Sequence, residues 1–351
     1  MADSLRAGRR GELALIEQIR GQAAKMPKVG VRLGIGDDCA LLRLRTGEEM
    51  AVTTDLSIAD RHFRLDWHSP DTIGHRALAR GLSDLAAMGA RPVAAFLSLG
   101  LPSELTRPAA RGQSWPSSWI ARFYDGLLAL AKAHNTPLAG GDLAESPLAV
   151  ADIVLIGAVP RGKALLRSGA KPGNLLYVTG MLGGAAAGLA RMAELAAVSE
   201  TAQSQSLPKR PLKIPRKLAA LLAPHLYPQP RIAQGLWLQR HGLATAAIDL
   251  SDGLSTDLAH LCQESGVSAE IDSVLLPIHS GASLAQSLHG GEDYELLFTA
   301  PQSAKLPRAI SGIPVTRIGR IVRRKRGSPL VTLLTAQDKQ PLEPRGWQHF
   351  S

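Results

Sequence analysis

The chain has 351 residues, 45% of them apolar, enough for one or two domains with a full core, and no apolar run is long enough to cross a bilayer. Only Cys39 and Cys262 are present, too few and too far apart for a metal knuckle or a disulfide framework; no secretory signal is expected after Met1–Arg10, and a cytoplasmic location is. The net charge of +10 points to anionic partners, but with 4% aromatic residues there are few platforms for stacking bases, so nucleic acid is not an expected partner.

In chain order, residues 11–25 carry Leu13, Ile16 and Ile19 at helical spacing. The turn Gly34-Ile35-Gly36-Asp37-Asp38 follows, then strands over 40–44 and 50–54, the second ending in Thr53-Thr54-Asp55. Hydroxyls and a carboxylate at a strand end suit a hard cation; a Thr-rich strand closing in an Asx turn is the plain alternative. His62 lies just beyond. Ser69-Pro70 opens a helix that stops at Gly89. On it, Asp84 shares the face of Ile73, Ala77 and Met88, and a carboxylate on an apolar face must be paired, hydrogen-bonded or metal-bound. A salt bridge to Arg80 is the structural alternative.

A strand over 93–101, a loop over 102–118 and a helix over 119–134 lead to Gly140-Gly141-Asp142, a third acidic turn. After a strand over 150–159 comes a basic connector, where we place the boundary between domains 1–160 and 161–351. In that connector, Gly157 to Ala164 has P-loop spacing but ends in Ala instead of Ser or Thr, and no helix follows, so it is rejected as a phosphate loop. The second half opens with a strand over 175–179 and a glycine turn into an Ala-rich helix. That turn is an ordinary strand-to-helix connection or a phosphate site. A linker over 198–217 and a helix over 230–241 lead to a strand over 246–250. Next come Ser251-Asp252-Gly253 and a helix capped by Ser255 or Thr256, starting near Asp257. Residues 290–300 place Glu292 and Asp293 ahead of a strand, and strands over 314–322 and 329–335 flank a basic loop holding Arg323, Arg324, Lys325 and Arg326. A first basic loop holds Lys209, Arg210, Lys213, Arg216 and Lys217; both basic loops read as solvated surface. Trp347 lies in an aromatic tail that reads as a plug for the core.

Carboxylates that recur beside apolar segments, with no His or Cys cluster, favour Mg²⁺ over Zn²⁺, and several Mg²⁺ ions suit polyphosphate chemistry.

The stretches GIGDDCALL, VTTDLSIADRHF, GLSDLAAMGARP, AGGDLAESP, LLRSGAKPGNLLYVTG, AIDLSDGLSTDLAHL, GGEDYELLFTA and GWQHF, in this order over both halves, resemble the thiamine-monophosphate kinase family. That family belongs to the aminoimidazole-ribonucleotide-synthetase-like ATP-binding superfamily. The resemblance implies a two-domain α/β (α+β) fold whose N-terminal domain pairs in a homodimer. It implies transfer of the ATP γ-phosphate to thiamine monophosphate, giving thiamine diphosphate, the last step of that cofactor's synthesis. It implies Mg²⁺ ligation by Asp38, Thr53, Thr54, Asp55, Asp84, Asp142, Asp252 and Asp257, and ATP contacts from Gly141, Asp142, Arg167 and Thr256. Asp38, Asp55, Asp84, Asp142, Asp252 and Arg167 would carry the chemistry, and His62, Glu292, Asp293 and Trp347 would hold the thiamine substrate. Gly81 and Leu143 depart from the family pattern, which has Asn and Thr there. Selenophosphate synthetases and the hydrogenase-maturation dehydratases call for reactive cysteines in terminal segments, a role that neither Cys39 nor Cys262 fits.

Overall fold

A computed structural model describes residues 12–27, 30–36, 38–106, 118–200 and 211–347. Asp37, Lys209, Arg210, most of the loop over 102–118 and the tail beyond Trp347 lie outside them. The chain divides into two compact units, residues 1–81, 92–158 and 199–213 in one, residues 82–91, 159–198 and 214–351 in the other.

The first unit contains α1 (Glu12–Ala23), the short pair β1 (Val31–Leu33) and β2 (Leu41–Leu42), β3 (Glu48–Ile58) and most of α2 (Pro70–Ala87). It continues with β4 (Arg91–Leu101), α3 (Trp119–Ala133), β5 (Leu138–Glu145) and β6 (Val150–Pro160). The larger sheet runs β3-β6-β4-β5, with β4 and β5 parallel. Ser118 caps α3 by accepting the Ala121 N–H at 3.3 Å. The backbones of α2 and α3 touch, because a Cβ on Gly74 would stand 1.9 Å from Phe123 O and one on Gly126 1.9 Å from Asp71 O. Helix propensity disfavours both glycines, and this packing is what requires them. At Gly81 a Cβ would meet Leu155 Cδ1 at 2.8 Å. Leu155 of β6 thus fills the space that a longer side chain on α2 would need, which accounts for glycine where the family pattern has Asn.

Two expectations for this unit are corrected. β3 does not end at Thr54 but runs to Ile58, so Thr53-Thr54-Asp55 lies inside a strand. Gly140-Gly141-Asp142 is likewise not a turn but the middle of β5, with Asp142 opposite Ser98 of β4. Gly141, at φ 149°, lets β5 approach so closely that a Cβ would sit 1.9 Å from Leu97 O. Turn-forming residues serve strand pairing here.

The second unit contains β7 (Leu175–Thr179), α4 (Gly184–Glu200), α5 (Ala219–Leu226), α6 (Ile232–His241), β8 (Ala246–Asp249) and α7 (Leu254–Ser265). It continues with β9 (Ser268–Asp272), α8 (Leu284–His289), β10 (Leu296–Ala300), β11 (Ala309–Ile310), β12 (Ile313–Val322), β13 (Val331–Leu334) and β14 (Lys339–Pro341). Its sheet runs β14-β13-β9-β12-β7-β10-β8, with β11 paired to β12. Leu176, Val178, Ile248, Leu258, Ile271 and Ile318 are among the residues packed in its core. α7 starts earlier than the sequence suggests. Gly253, at φ 115°, occupies the N-cap position, which moves Ser255 and Thr256 from the cap into the first turn. α5, α8 and β9 were not foreseen.

Candidate active site

In the first unit the two-residue period of β3 sends Thr53 and Asp55 to one face and Thr54 to the other. Asp55 Oδ1 accepts from Arg80 Nε at 2.7 Å, with Arg80 Nη2 also 2.7 Å away. Arg80, the salt-bridge partner weighed for Asp84, pairs with the strand carboxylate Asp55. Asp142 is exposed on β5, and its Oδ1 accepts the N–H of Leu143 at 2.9 Å. This backbone bond needs no hydroxyl at 143. Asp38 is exposed in the turn between β1 and β2. His62 Nδ1 accepts the Ile58 N–H at 3.1 Å, which leaves Nε2 as the protonated nitrogen.

Beside Gly140, Gly141 and Asp142 lies a hollow walled by Ile16, Ile19, Ile35, Leu97 and Tyr124. Burial raises the Tyr124 phenol well above its usual range, so it is neutral and available as a hydrogen-bond donor. Apolar walls suit a flat ring, and the Asp142 carboxylate on the rim would meet an anionic group only through a bound cation. Ile16 and Ile19 read from sequence only as the apolar face of a helix, and Tyr124 was not singled out, because the spacing of a core-facing helix and that of a pocket-facing helix are the same.

In the second unit the last turn of α2 and the end of β8 meet. Ser83 Oγ donates to Asp249 Oδ2 at 2.7 Å. Asp249 is 3% exposed, and burial together with the Asp84 charge lifts its carboxyl to about 7, against a lowering pull from Ser83 and Arg167. Asp257 Oδ2 accepts the N–H groups of Asp252 and Gly253 at 3.1 and 3.0 Å. Burial, then the charges of Asp249 and Asp252, raise Asp257 to about 8. Asp84 thus acts on Asp249, and Asp249 and Asp252 act on Asp257, a chain of like charges. Among the described residues no three His, Cys, Asp or Glu side chains converge as a ready metal cage. The fit to a cation rests on the donor set: oxygen-only, mutually repelling and, at Asp249 and Asp257, buried, it favours protons or a hard divalent ion.

Asp249 was missed. It sits in the apolar run 246–250, where it reads as one polar residue in a strand.

The C-terminal segment docks on this acidic turn. Thr256 Oγ1 accepts the Gly346 N–H at 3.0 Å, and the Trp347 N–H donates to Asp252 O at 3.2 Å. Trp347 is 52% exposed, so it is not the core plug that its place in the tail suggested. The glycine turn ahead of α4 has its amides engaged, since Asp293 accepts from Gly183 and Ala185 at 2.6 and 3.2 Å. Burial raises that carboxyl to about 7. Glu292 instead faces His225, with Oε2 3.7 Å from Nδ1. Glu295, also not foreseen, receives Arg231 through both oxygens at 2.5 and 2.6 Å and Thr179 Oγ1 at 2.7 Å. In the second basic loop Arg323, Arg324, Lys325 and Arg326 are exposed, while Arg320 pairs with Glu270.

Residues 36–159 match the family pattern "AIR synthase related protein, N-terminal domain", and residues 171–332 match its C-terminal domain counterpart. The chain is 38% identical over 355 residues to thiamine-monophosphate kinase of Escherichia coli K12, covering 97% of this chain and 98% of the relative. It resembles the crystal structure of thiamine-monophosphate kinase from Stenotrophomonas maltophilia K279a at TM-score 0.72 and 35% identity, over 92% of this chain and 96% of that one. It resembles the complex of AaThiL with AMPPCP and TMP at TM-score 0.68 and 27% identity, over 97% of each chain. Sequence and fold agree across both halves: the chain belongs to the thiamine-monophosphate kinase family.

Proposed function

We propose that this protein transfers the γ-phosphate of ATP to thiamine monophosphate, giving thiamine diphosphate and ADP. The observation that carries this is the acidic cluster of Asp84, Asp249, Asp252 and Asp257, with Trp347 held beside it by Asp252. A phosphate monoester has a second pKa of about 6, so the attacking oxygen is already ionised at neutral pH and no side-chain base is required. The work left to the protein is alignment and cancellation of charge. Asp38, Thr53, Thr54, Asp55, Asp84, Asp142, Asp252 and Asp257, joined by Asp249, are the groups that would hold Mg²⁺. Bound Mg²⁺ would screen the anionic oxygens of both substrates.

The hollow beside Gly141 and Asp142 would seat the adenine, with Tyr124 in its wall. Arg167 would meet ATP phosphates, and Thr256 would stand near them. His62, Glu292 and Trp347 would hold the thiamine end, where an indole face attracts a cationic thiazolium. No helix among the described residues is long and apolar enough to cross a membrane. A cytoplasmic location fits the substrates.

Mass spectrometry after incubation with ATP, Mg²⁺ and thiamine monophosphate is expected to show thiamine diphosphate and ADP in equal amounts. ADP without thiamine diphosphate overturns the assignment.

A homodimer is also proposed, through the first unit. Met50, Val52 and Leu56 project from one face of β3, an edge strand, and each is about half exposed. Such a row of apolar side chains favours a protein partner. Val52→Glu is expected to shift the species seen by light scattering from dimer to monomer; a native protein that runs as a monomer overturns the proposal.

A further inference from the structure

Between α8 and β10 the chain makes a tight turn through Glu292, Asp293 and Tyr294. Asp293 points at the start of α4 and accepts the N–H of Gly183, just before the helix, and of Ala185 in its first turn, through different carboxylate oxygens. Those amides lack partners within their own helix and would otherwise be open to an anion. On the other side of the turn the Glu292 N–H donates to Ser251 O at 2.7 Å, and the Tyr294 N–H to Leu250 O at 2.8 Å. The turn is thus strung between the start of α4 and the segment that leads into Asp252. Glu292 and Tyr294 both have left-handed backbones, at φ 67° and 51°. Such strain in non-glycine residues persists only where the surroundings over-determine it. The bonds on both sides supply that constraint. They turn Glu292 away from the α4 amides, with its side chain 25% exposed and facing the buried His225 ring.

We propose that Asp293 is a positioning residue that never touches substrate: it fixes the turn so that Glu292 meets the thiamine at a set distance from the acidic turn where the phosphoryl group is transferred. This deepens the function proposed above and rests on it. Both oxygens of Asp293 accept backbone amides, whereas the Glu292 carboxylate faces the His225 ring and stays 25% exposed. Of two adjacent acids, one holds the turn and the other holds the ligand.

The test is a double-mutant cycle on the KM values for thiamine monophosphate and ATP. Losing charged hydrogen bonds to two amides, Asp293→Ala is expected to raise the KM for thiamine monophosphate about tenfold and to leave that for ATP unchanged. Asp293→Asn should recover only part of the loss, since its single carbonyl oxygen can accept one of the two amides while its NH2 faces the other. Combined with Glu292→Ala, Asp293→Ala should add nothing to the loss seen with Glu292→Ala alone. Additive losses overturn the proposal, as does an Asp293→Ala protein whose KM for ATP rises as much as its KM for thiamine monophosphate. If Asp293→Ala does not fold, the cycle is run with Asp293→Asn. A wild-type protein that makes no thiamine diphosphate overturns the function and this assignment together. An active wild type with an additive cycle overturns this assignment alone.

Discussion

Asp84→Asn is expected to lower kcat by at least about a thousandfold at saturating substrates and Mg²⁺, with little change in melting temperature. Asp84 is carried by the last turns of α2, one residue after Ser83, whose hydroxyl is tied to Asp249. The helix end is therefore anchored independently of the Asp84 carboxylate. The amide variant keeps the shape and removes one negative charge. Because the Asp84 charge helps to raise Asp249, that carboxyl should titrate closer to its usual range in the variant. If Asp84 only braces the fold through an ion pair, the opposite pattern appears: a lower melting temperature and nearly normal kcat at limiting Mg²⁺. Measuring kcat, the Mg²⁺ dependence and the melting temperature on one sample separates the two.

In EDTA the melting temperature is expected to fall as pH rises from about 5 to about 8.5, and Mg²⁺ should restore more of it at the high end than at the low end. Asp249, Asp257 and Asp293 have carboxyls raised to about 7, 8 and 7 from 3.8. A raised carboxyl binds its proton more tightly in the folded chain. Its contribution to stability is complete below the unfolded value and is lost as pH climbs through the folded one. A divalent cation at the acidic cluster reverses the penalty by screening the same repulsion. Asp257→Asn should flatten the pH slope and shrink the Mg²⁺ effect. Stabilisation by Mg²⁺ that is equal at both ends of the range, or larger at the acidic end, would show that the ion does not bind this cluster.

Much of the architecture was legible because it rests on local signals. α2 follows from an N-terminal Pro, apolar residues on one face and a glycine stop, and its span was read within a residue. β7 and β10 follow from short apolar runs flanked by turn residues. Local signals failed where a glycine was needed for contact. Gly140-Gly141-Asp142 looks like a turn, and only the neighbouring strand β4 reveals that Gly141 admits a close backbone approach. The start of α7 was misplaced for a related reason: a left-handed Gly253 caps a helix without any side-chain signal.

For the site, the sequence by itself determined the family and supplied the acidic residues, since those motifs are contiguous and occur in a fixed order along the chain. Only the tertiary structure decided what each acid does. Asp249 and Ser83 are 166 residues apart, and Asp293 and Gly183 110. Nothing local to Asp293 distinguishes it from Glu292 beside it. The difference arises when α4 brings two unpaired amides against one of them, because buried backbone donors must find acceptors and the nearer carboxylate is drawn in. Burial and repulsion then set the charge state of the acids around Asp257, and both depend on neighbours that only the folded chain assembles.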